Sequence, residues 1–494
     1  MTAHFNPVAA AVFVAFFVLV TVIGFGASRW KAGDLTQLSE WGLGGRQFGP
    51  VITWFLVGGD FYTAYTVIAV PALVYSVGAY GFFALPYTII VYPFVFLVMP
   101  KLWTACHKLN HITAADFVQG HYGGRWFAAC IALTGILATM PYIALQLVGM
   151  QVVIEGLGVS GEIPLIIAFV ILAVYTYASG LRAPAMIAFV KDIMIYIVVI
   201  AAVWLIPSKL GGYASVFHAA DTFFKAKGGA TGINLLPTQY TAYASVAFGS
   251  ALAAFMYPHT MTAILSSSSP RTIKTNAIFL PAYTLLLGLI ALLGYMAIAA
   301  GIKVTSASQV VPALFAQLFP SWFLGFAAAA IAISALVPAA IMSIGAANLF
   351  TRNLWRPMVN PNMTPAQESQ TAKLFSLVVK FGALAFIIFV PAKYAIDLQL
   401  LGGVWILQIF PAVVFTLFTS KLKLPALFLG WAVGMTLGTT LALEQGIKPL
   451  YTVTLGSGHY PIYIGLLALA ANLVVTFVLS AVLKAGRPVT PVTS

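Results

Sequence analysis

Between Val51 and Val77 the chain is apolar for long enough to cross a lipid bilayer, yet early in that run stand Gly58, Gly59 and Asp60. Two adjacent glycines loosen a helix, because each carries a large entropy cost when held helical. A loosened helix in lipid leaves N–H and C=O groups without partners, a state tolerated only where protein or a watery cavity supplies them. Asp60 adds a charge that is costly when it faces lipid. The run therefore predicts a discontinuous helix, broken at Gly58-Gly59, whose unwound part handles an ion or a solute.

The composition agrees with a chain that lives in lipid. A soluble domain carries about 25% charged residues, whereas here 7% are charged and 61% are hydrophobic. Hydropathy predicts an all-α polytopic membrane protein of thirteen spans, with cores near 7–27, 50–77, 80–99, 127–154, 163–179, 183–206, 240–265, 276–301, 319–350, 374–391, 395–419, 423–443 and 460–483. The first run is of spanning length and lacks the basic flank of a cleavable signal. The longest connection, 207–239, is rich in Gly and Ala and is expected outside. Sixteen Lys and Arg residues fall in the odd-numbered connections and the C-terminal tail, which holds Lys484 and Arg487, against six on the other side. Basic residues stay in the cytoplasm, so the N-terminus is expected outside and the C-terminus inside. That bias also accounts for the net charge of +13, and no nucleic-acid partner is expected. Cys106 and Cys130 have neither metal nor redox spacing.

Ionisable residues inside the spans are few: Asp60, Lys191, Asp192, His259 and Lys380. Lys380 lies near the inner end of its span, where snorkelling accounts for it. The other four are functional candidates by default. Asp60 either handles an ion or proton at the break or caps the second half-helix. Phe61, Tyr62, Thr63 and Tyr65 follow it, at a half-helix start whose free N–H groups favour an anion. Lys191 is too deep to reach water. It either binds and releases a proton, its pKa being movable by burial, or neutralises Asp60 or Asp192 as a structural pair. Adjacent helical residues point about 100° apart, so Lys191 and Asp192 are expected to face different ways.

Span 7 is interrupted at Tyr257-Pro258-His259, since proline removes an N–H and clashes with the preceding turn. His259 either relays a proton or donates to a carboxylate, or is a satisfied histidine at a helix break. Spans 2 and 7 are five apart and so cross in opposite directions. That order suits an inverted repeat of 50–206 and 240–419 within one transmembrane domain, with span 1 peripheral and two additional helices in 423–483. Tyr142, Gln146 and Gln151 on span 4, and Trp405 and Gln408 on span 11, are candidates to line the path, with packing as the alternative role. No metal-ligand cluster and no nucleophile–base motif is present, which excludes an enzyme and any organic cofactor.

Four short motifs, in order, resemble the sodium:solute symporter family. They are Gly44-Gly45-Arg46 before span 2, Thr113-Ala114-Ala115-Asp116-Phe117 before span 4, Ser179-Gly180-Leu181 with Lys191-Asp192 around span 6, and Phe350-Thr351-Arg352-Asn353 ending span 9. The resemblance implies a LeuT-type five-plus-five core, thirteen spans and an outside N-terminus. Gly59-Asp60-Phe61-Tyr62-Thr63-Ala64-Tyr65, Tyr257-Pro258-His259, Leu280-Pro281-Ala282-Tyr283 and Leu293-Gly294-Tyr295-Met296-Ala297-Ile298 are most similar to the bacterial monocarboxylate permease branch. It implies a symporter of the bacterial inner membrane that imports a small acid such as lactate, pyruvate or acetate. Sodium-coupled members complete a cation site from carbonyls at the span 2 break, here the backbone of Gly58 and Gly59, and adjacent hydroxyls on span 9. Counting back from Phe350, that hydroxyl pair falls at Val337-Pro338; the nearest hydroxyls are Ser334 and Ser343. A hard cation loses two oxygen ligands there. By analogy with proton-coupled members of the wider fold, Lys191 stands in for the missing ion, so a proton is preferred to sodium. The alternative is a sodium-coupled symporter for another small solute, such as an amino acid or vitamin. A sensor is set aside because only about ten residues follow the last span, and a channel because paired broken helices suit alternating access.

Overall fold

The computed structural model describes residues 5–31, 33–389 and 392–483, apart from the side chains of Tyr65 and of 392–397. The predicted roles of Lys484, Arg487 and the Tyr65 side chain lie outside the described residues. The α-helices of eight residues or more are, in chain order, α1 Pro7–Gly26, α2 Pro50–Phe61, α3 Ala64–Val77, α4 Ala84–Lys108, α5 Ala114–Tyr122, α6 Arg125–Gly156, α7 Ile163–Ser179 and α8 Arg182–Lys209. There follow α9 Tyr213–Ala226, α10 Tyr240–Ala254, α11 Pro258–Leu265, α12 Pro270–Phe279, α13 Pro281–Ala299, α14 Val310–Leu318, α15 Ser321–Leu349, α16 Pro365–Phe389, α17 Ala392–Ile406, α18 Leu424–Glu444 and α19 Ile464–Val482. Helix is the form that satisfies every backbone group without water, which is why apolar runs take it.

Ten helical stretches among the described residues are long and apolar enough to cross a membrane. The sequence-based count of thirteen is higher for a physical reason. α2 is 12 residues long because its span is broken, and α3 runs into α4 through a tight 3-10 stretch at Gly78–Phe83; α7 is 17 residues long, and the seventh span is split into α10 of 15 residues and α11 of 8. Every expected span core nevertheless overlaps one of these helices.

α15 is the axis of the molecule. Nearly all its residues are buried, and it touches α1, α6, α8, α11 and α16. Its Ala, Gly and Ser residues let neighbouring backbones come close, which is how helices associate without a hydrophobic driving force. α1 lies against α15, α8 and α7.

The breaks are displaced from where the sequence put them. Gly58 and Gly59 are helical, and α2 continues to Phe61; the chain unwinds at Tyr62 and Thr63, and Thr63 caps α3 by accepting the N–H of Thr66 at 3.1 Å. In the second break, α10 ends at Ala254 and α11 starts at Pro258, whose missing N–H costs nothing at the first helical position.

Outside the helices, Leu450–Leu455 (β1) and Gly458–Tyr463 (β2) form an antiparallel hairpin in which Leu450 pairs with Tyr463. Span 13 was expected to begin at 460, so its first residues are strand instead. The signal was Gly456-Ser457 between two short apolar runs, a two-residue turn with positive φ at Gly456. The hairpin lies on α10, and Tyr463 N–H donates to Ser245.

Candidate functional site

Polar residues of the two breaks and of α8 gather in the interior around the end of α2, which touches both α8 and α11. On one side stands Lys191 of α8, fully buried. Its ammonium donates to the carbonyls of Gly59 at 2.6 Å and Tyr62 at 3.1 Å, and is ion-paired with Asp192 at 2.8 Å. Those carbonyls belong to the turn where α2 unwinds, so the ammonium replaces donors the helix has lost. Lys191 and Asp192 therefore meet, contrary to the expectation from their helical directions. The flexible four-carbon stem of lysine carries the charge back across the 100° that separates the two Cβ bonds.

This arrangement explains the two glycines better than a backbone break does. A Cβ on Gly59 would lie 2.8 Å from Asp192 Oδ2 and 2.9 Å from Lys191 Nζ; one on Gly58 would lie 2.0 Å from the Tyr283 ring. The glycines make room for a charged side chain and an aromatic one to touch the backbone.

Tyr283, on α13, was missed as a site residue. Its hydroxyl donates to Asp192 at 2.6 Å, its carbonyl accepts the Tyr62 hydroxyl, and its ring leans on Trp54 and Tyr62 at 4.6 and 4.9 Å. A signal existed in the Leu280-Pro281-Ala282-Tyr283 string, but a tyrosine in an apolar run reads equally well as core.

On the other side of α2 the polar groups lack partners. Asp60 is 2% exposed and neither of its oxygens accepts a hydrogen bond. The capping role considered for it is filled by Thr63. Asp60 Oδ2 instead faces His259 Nε2 at 3.6 Å, within ion-pair range if the imidazole is protonated and too long for a hydrogen bond. His259 Nδ1 is buried without a partner. The rings of Tyr142 and Tyr257 stand 5.5 and 5.3 Å from the imidazole. Gln146, one turn from Tyr142 on α6, donates to the Tyr142 carbonyl at 3.4 Å and has an unpartnered buried Oε1. Phe61 closes this side with Phe255 and Tyr87.

Other candidates lie elsewhere. Trp405 donates to Thr439 of α18 at 2.9 Å, and Gln408 bonds to Val404, Gly465 and Asn472, so both face the C-terminal helices. Gln151 is tied to Glu155. On α15, Ser334 and Ser343 donate to carbonyls of their own helix, and Val337 and Pro338 are buried without hydroxyls. Lys380 does not reach an interface: it is fully buried and its ammonium nitrogen has no partner. Among the described residues no cluster of three His, Cys, Asp or Glu could hold a metal.

The motifs at the helix ends form junctions at the connections that carry the basic residues. Thr113 donates to Asn353 at 2.8 Å, Asn353 to Asp116 at 2.8 Å, and Arg352 links Asp116 (3.6 Å) to Glu368 (3.2 Å), which also holds Arg356. Arg46 donates to the His111 carbonyl at 2.5 Å. Burial, ahead of the neighbouring charges, keeps the His111 imidazole below its ordinary pKa. Arg182 pairs with Glu40 at 2.5 Å, and Gly180, at φ +58°, sits where a Cβ would meet the Trp41 carbonyl at 2.2 Å.

Comparison with known proteins bears on the family and the fold. A sequence model of the sodium:solute symporter family matches residues 41–454. The chain is 63% identical over 99% of its length, and over the whole of the relative, to a monocarboxylate transport permease protein of Rhizobium johnstonii. It is 32% identical, over 95% of its length and 93% of the relative, to the uncharacterized symporter YodF of Bacillus subtilis. Among solved structures, a Na+-coupled sialic acid symporter in a substrate-bound outward-open state superposes with a TM-score of 0.78 at 14% identity, covering 98% of this chain and all of that one. At that identity the likeness establishes the LeuT-type fold.

Proposed function

The chain belongs to the sodium:solute symporter family, and from that premise we propose that it imports a small monocarboxylate together with a proton. The observation that carries the coupling ion is the Lys191 ammonium on the carbonyls of Gly59 and Tyr62. A cation is already there, held by protein, at the place where sodium-coupled relatives of this fold are expected to hold theirs. When Lys191 loses its proton, the ion pair with Asp192 is lost and the remaining amine donates more weakly to those carbonyls, so the hold of α8 on α2 is loosened. Protonation thus favours one arrangement of the broken helix and deprotonation another, as a coupling ion must.

The substrate class is supported by the name of the Rhizobium relative and by the side of α2 that lacks partners. His259 Nδ1 and Gln146 are buried polar groups in want of a ligand. A short carboxylate gives His259 an acceptor, and Asp60 in its protonated form donates to that carboxylate rather than repelling it. The rings of Tyr142, Tyr257 and Phe61 are the aromatic surface that a small apolar tail would meet beside them. In this reading the chain crosses the bacterial inner membrane thirteen times with its N-terminus outside, and 50–206 and 240–419 are the two inverted halves.

The sodium-coupled alternative is favoured by the family name and the solved neighbour. One experiment separates the two. Purified protein in proteoliposomes should accumulate labelled lactate, pyruvate or acetate when an inward proton gradient is imposed and sodium is replaced by choline. A protein-free control removes passive entry of the neutral acid. Accumulation that needs sodium at constant pH overturns the proton; transport of proline or pantothenate but of no C2–C4 acid overturns the substrate.

A further inference from the structure

The break between α10 and α11 is spanned by a single hydroxyl. α10 ends at Ala254, and the residue four places on, whose N–H would ordinarily donate to the Ala254 carbonyl, is Pro258. Proline has no N–H to give. For α11 that loss is free, but for α10 it leaves a carbonyl of the last turn short of a donor. Thr260, on the first turn of α11, supplies one. Its hydroxyl shares its hydrogen between the carbonyls of Ala254 at 2.8 Å and Tyr257 at 2.9 Å. The bond to Tyr257 is the ordinary one of a helical threonine with a carbonyl three residues back. The bond to Ala254 reaches six residues back and joins the two half-helices across the break. Thr260 is 4% exposed, so little water competes for it.

At each break, then, a side chain holds a pair of carbonyls three residues apart. At the first they are Gly59 and Tyr62, and the donor is the Lys191 ammonium of α8. At the second they are Ala254 and Tyr257, and the donor is a hydroxyl of α11 itself. The two donors differ in kind. An ammonium can lose a proton and here belongs to another helix, so its hold depends on protonation and on how the helices sit. A hydroxyl does not titrate near neutral pH and travels with the half-helix that carries it, so its hold lasts. The second break is also backed from behind, where Pro258 lies between α6 and α15. A Cβ on Gly345 would stand 2.9 Å from the Pro258 carbonyl carbon and 3.1 Å from the His259 nitrogen, and one on Gly135 2.9 Å from Pro258 Cγ.

We propose that Thr260 is a positioning residue for the transported solute. Its hydroxyl fixes the bend between α10 and α11, and the bend aims Tyr257 and His259, the residues on either side of Pro258, at the unpartnered side of α2. That aim sets His259 Nε2 3.6 Å from Asp60 and the His259 ring 5.3 Å from that of Tyr257. The inference rests on the reading of that side as the substrate side, and adds a division of labour: the first break switches with the coupling ion, and the second keeps its shape.

The test is uptake by full-length protein in proteoliposomes, with half-saturating concentration and maximal rate measured separately for the solute that the wild type accumulates. Thr260→Val keeps the shape of the side chain and removes the hydroxyl. The half-saturating concentration should rise roughly threefold to tenfold, the worth of one neutral hydrogen bond, while the pH profile and the ion requirement stay at wild type. Thr260→Ser returns the hydroxyl and should return the affinity. A purely structural role would lower the amount of active protein, and with it the maximal rate, and leave half-saturation alone. Gly345→Ala presses on the same segment from behind and should also raise the half-saturating concentration. Should Thr260→Val fail to fold, Thr260→Ala, which removes the hydroxyl without setting a methyl group against the carbonyls, serves instead. Wild-type half-saturation without the hydroxyl, no rescue by serine, or a shifted pH profile overturns the proposal. A failure of the monocarboxylate reading shows in the wild type, as the solute it takes up, whereas a failure here shows only in the variants.

Discussion

The two sides of the end of α2 differ in one respect that matters for transport. Toward α8, the charged groups and the carbonyls of the break are tied: the Gly59 and Tyr62 carbonyls accept from Lys191, Lys191 pairs with Asp192, and Asp192 accepts from Tyr283. Toward α11, Asp60, His259 Nδ1 and Gln146 Oε1 are buried without partners. Buried polar groups are ordinarily paired, and each exception asks for a reason. The satisfied side has the property of a latch, stable while Lys191 keeps its proton. The unsatisfied side has the property of a receptor, whose missing partner arrives with the substrate.

The comparison breaks most decisively at Lys191. Lys191→Met leaves Asp192 as an uncompensated buried charge, which costs about 3–5 kcal/mol, so the single variant should be poorly stable and should not accumulate substrate. Pairing it with Asp192→Asn removes both charges. The double variant should regain most of the melting temperature and still fail to concentrate substrate, because the lysine to which the coupling proton is assigned is gone. Thermal melting and uptake on the same preparation check it. Uphill transport by the double variant would mean that the latch side is only structural.

Asp60→Asn probes the other side and should leave stability nearly unchanged. It puts a neutral amide of the same shape where the protonated carboxyl stands, and neither group has a partner, so the melting temperature should stay close to that of the wild type while accumulation is lost. A variant that is less stable than the wild type would show that the carboxylate is paired, and that the two sides of α2 are alike. Tyr283→Phe sharpens the latch side at smaller amplitude. It deletes one hydrogen bond to a charged group, worth about 1.5–3 kcal/mol, while keeping the ring against Trp54. Accumulation should drop several-fold with exchange less affected, and a sodium-independent, acid-stimulated profile should be retained.

The contrast between the sides was only half legible in the sequence. Charges inside apolar runs are conspicuous, and Asp60, Lys191, Asp192 and His259 all stand at the centre of the structure for that reason. Proline at 258 marked the second break to within a few residues, since it is free at a helix start and costly elsewhere. The glycines misplaced the first break, because a glycine that makes room for a neighbour is indistinguishable in sequence from one that unwinds a helix. Direction was the other blind spot. Nothing local says that the lysine stem turns back to Asp192, or that Lys380 stays buried rather than snorkelling. Tyr283 differs from the surrounding core aromatics only in what its hydroxyl touches. The short motifs at the helix ends were easier to see than to interpret: Thr113, Asp116, Arg352 and Asn353 are far apart in sequence and form one cluster, so as motifs they report a junction, not a binding site.

Trp405 and Gln408 supply the smallest expected effect and a control on the whole comparison. Sequence placed them along the path because polar-tipped residues in a core span are rare. Their hydrogen bonds run to Thr439, Gly465 and Asn472, on the helices that follow the core. Trp405→Phe keeps most of the buried surface and loses one neutral hydrogen bond, worth about 0.5–1.5 kcal/mol. The melting temperature should fall slightly, while the half-saturating concentration, the pH profile and the extent of accumulation stay at wild-type values. Gln408→Leu should cost more in stability, because it leaves the Asn472 amide short of an acceptor, and should be equally silent in transport. If Trp405→Phe instead changes which acid is preferred, the receptor extends beyond Asp60 and His259 to α17. The line drawn between a tied side and an open side of α2 would then have to include a third wall.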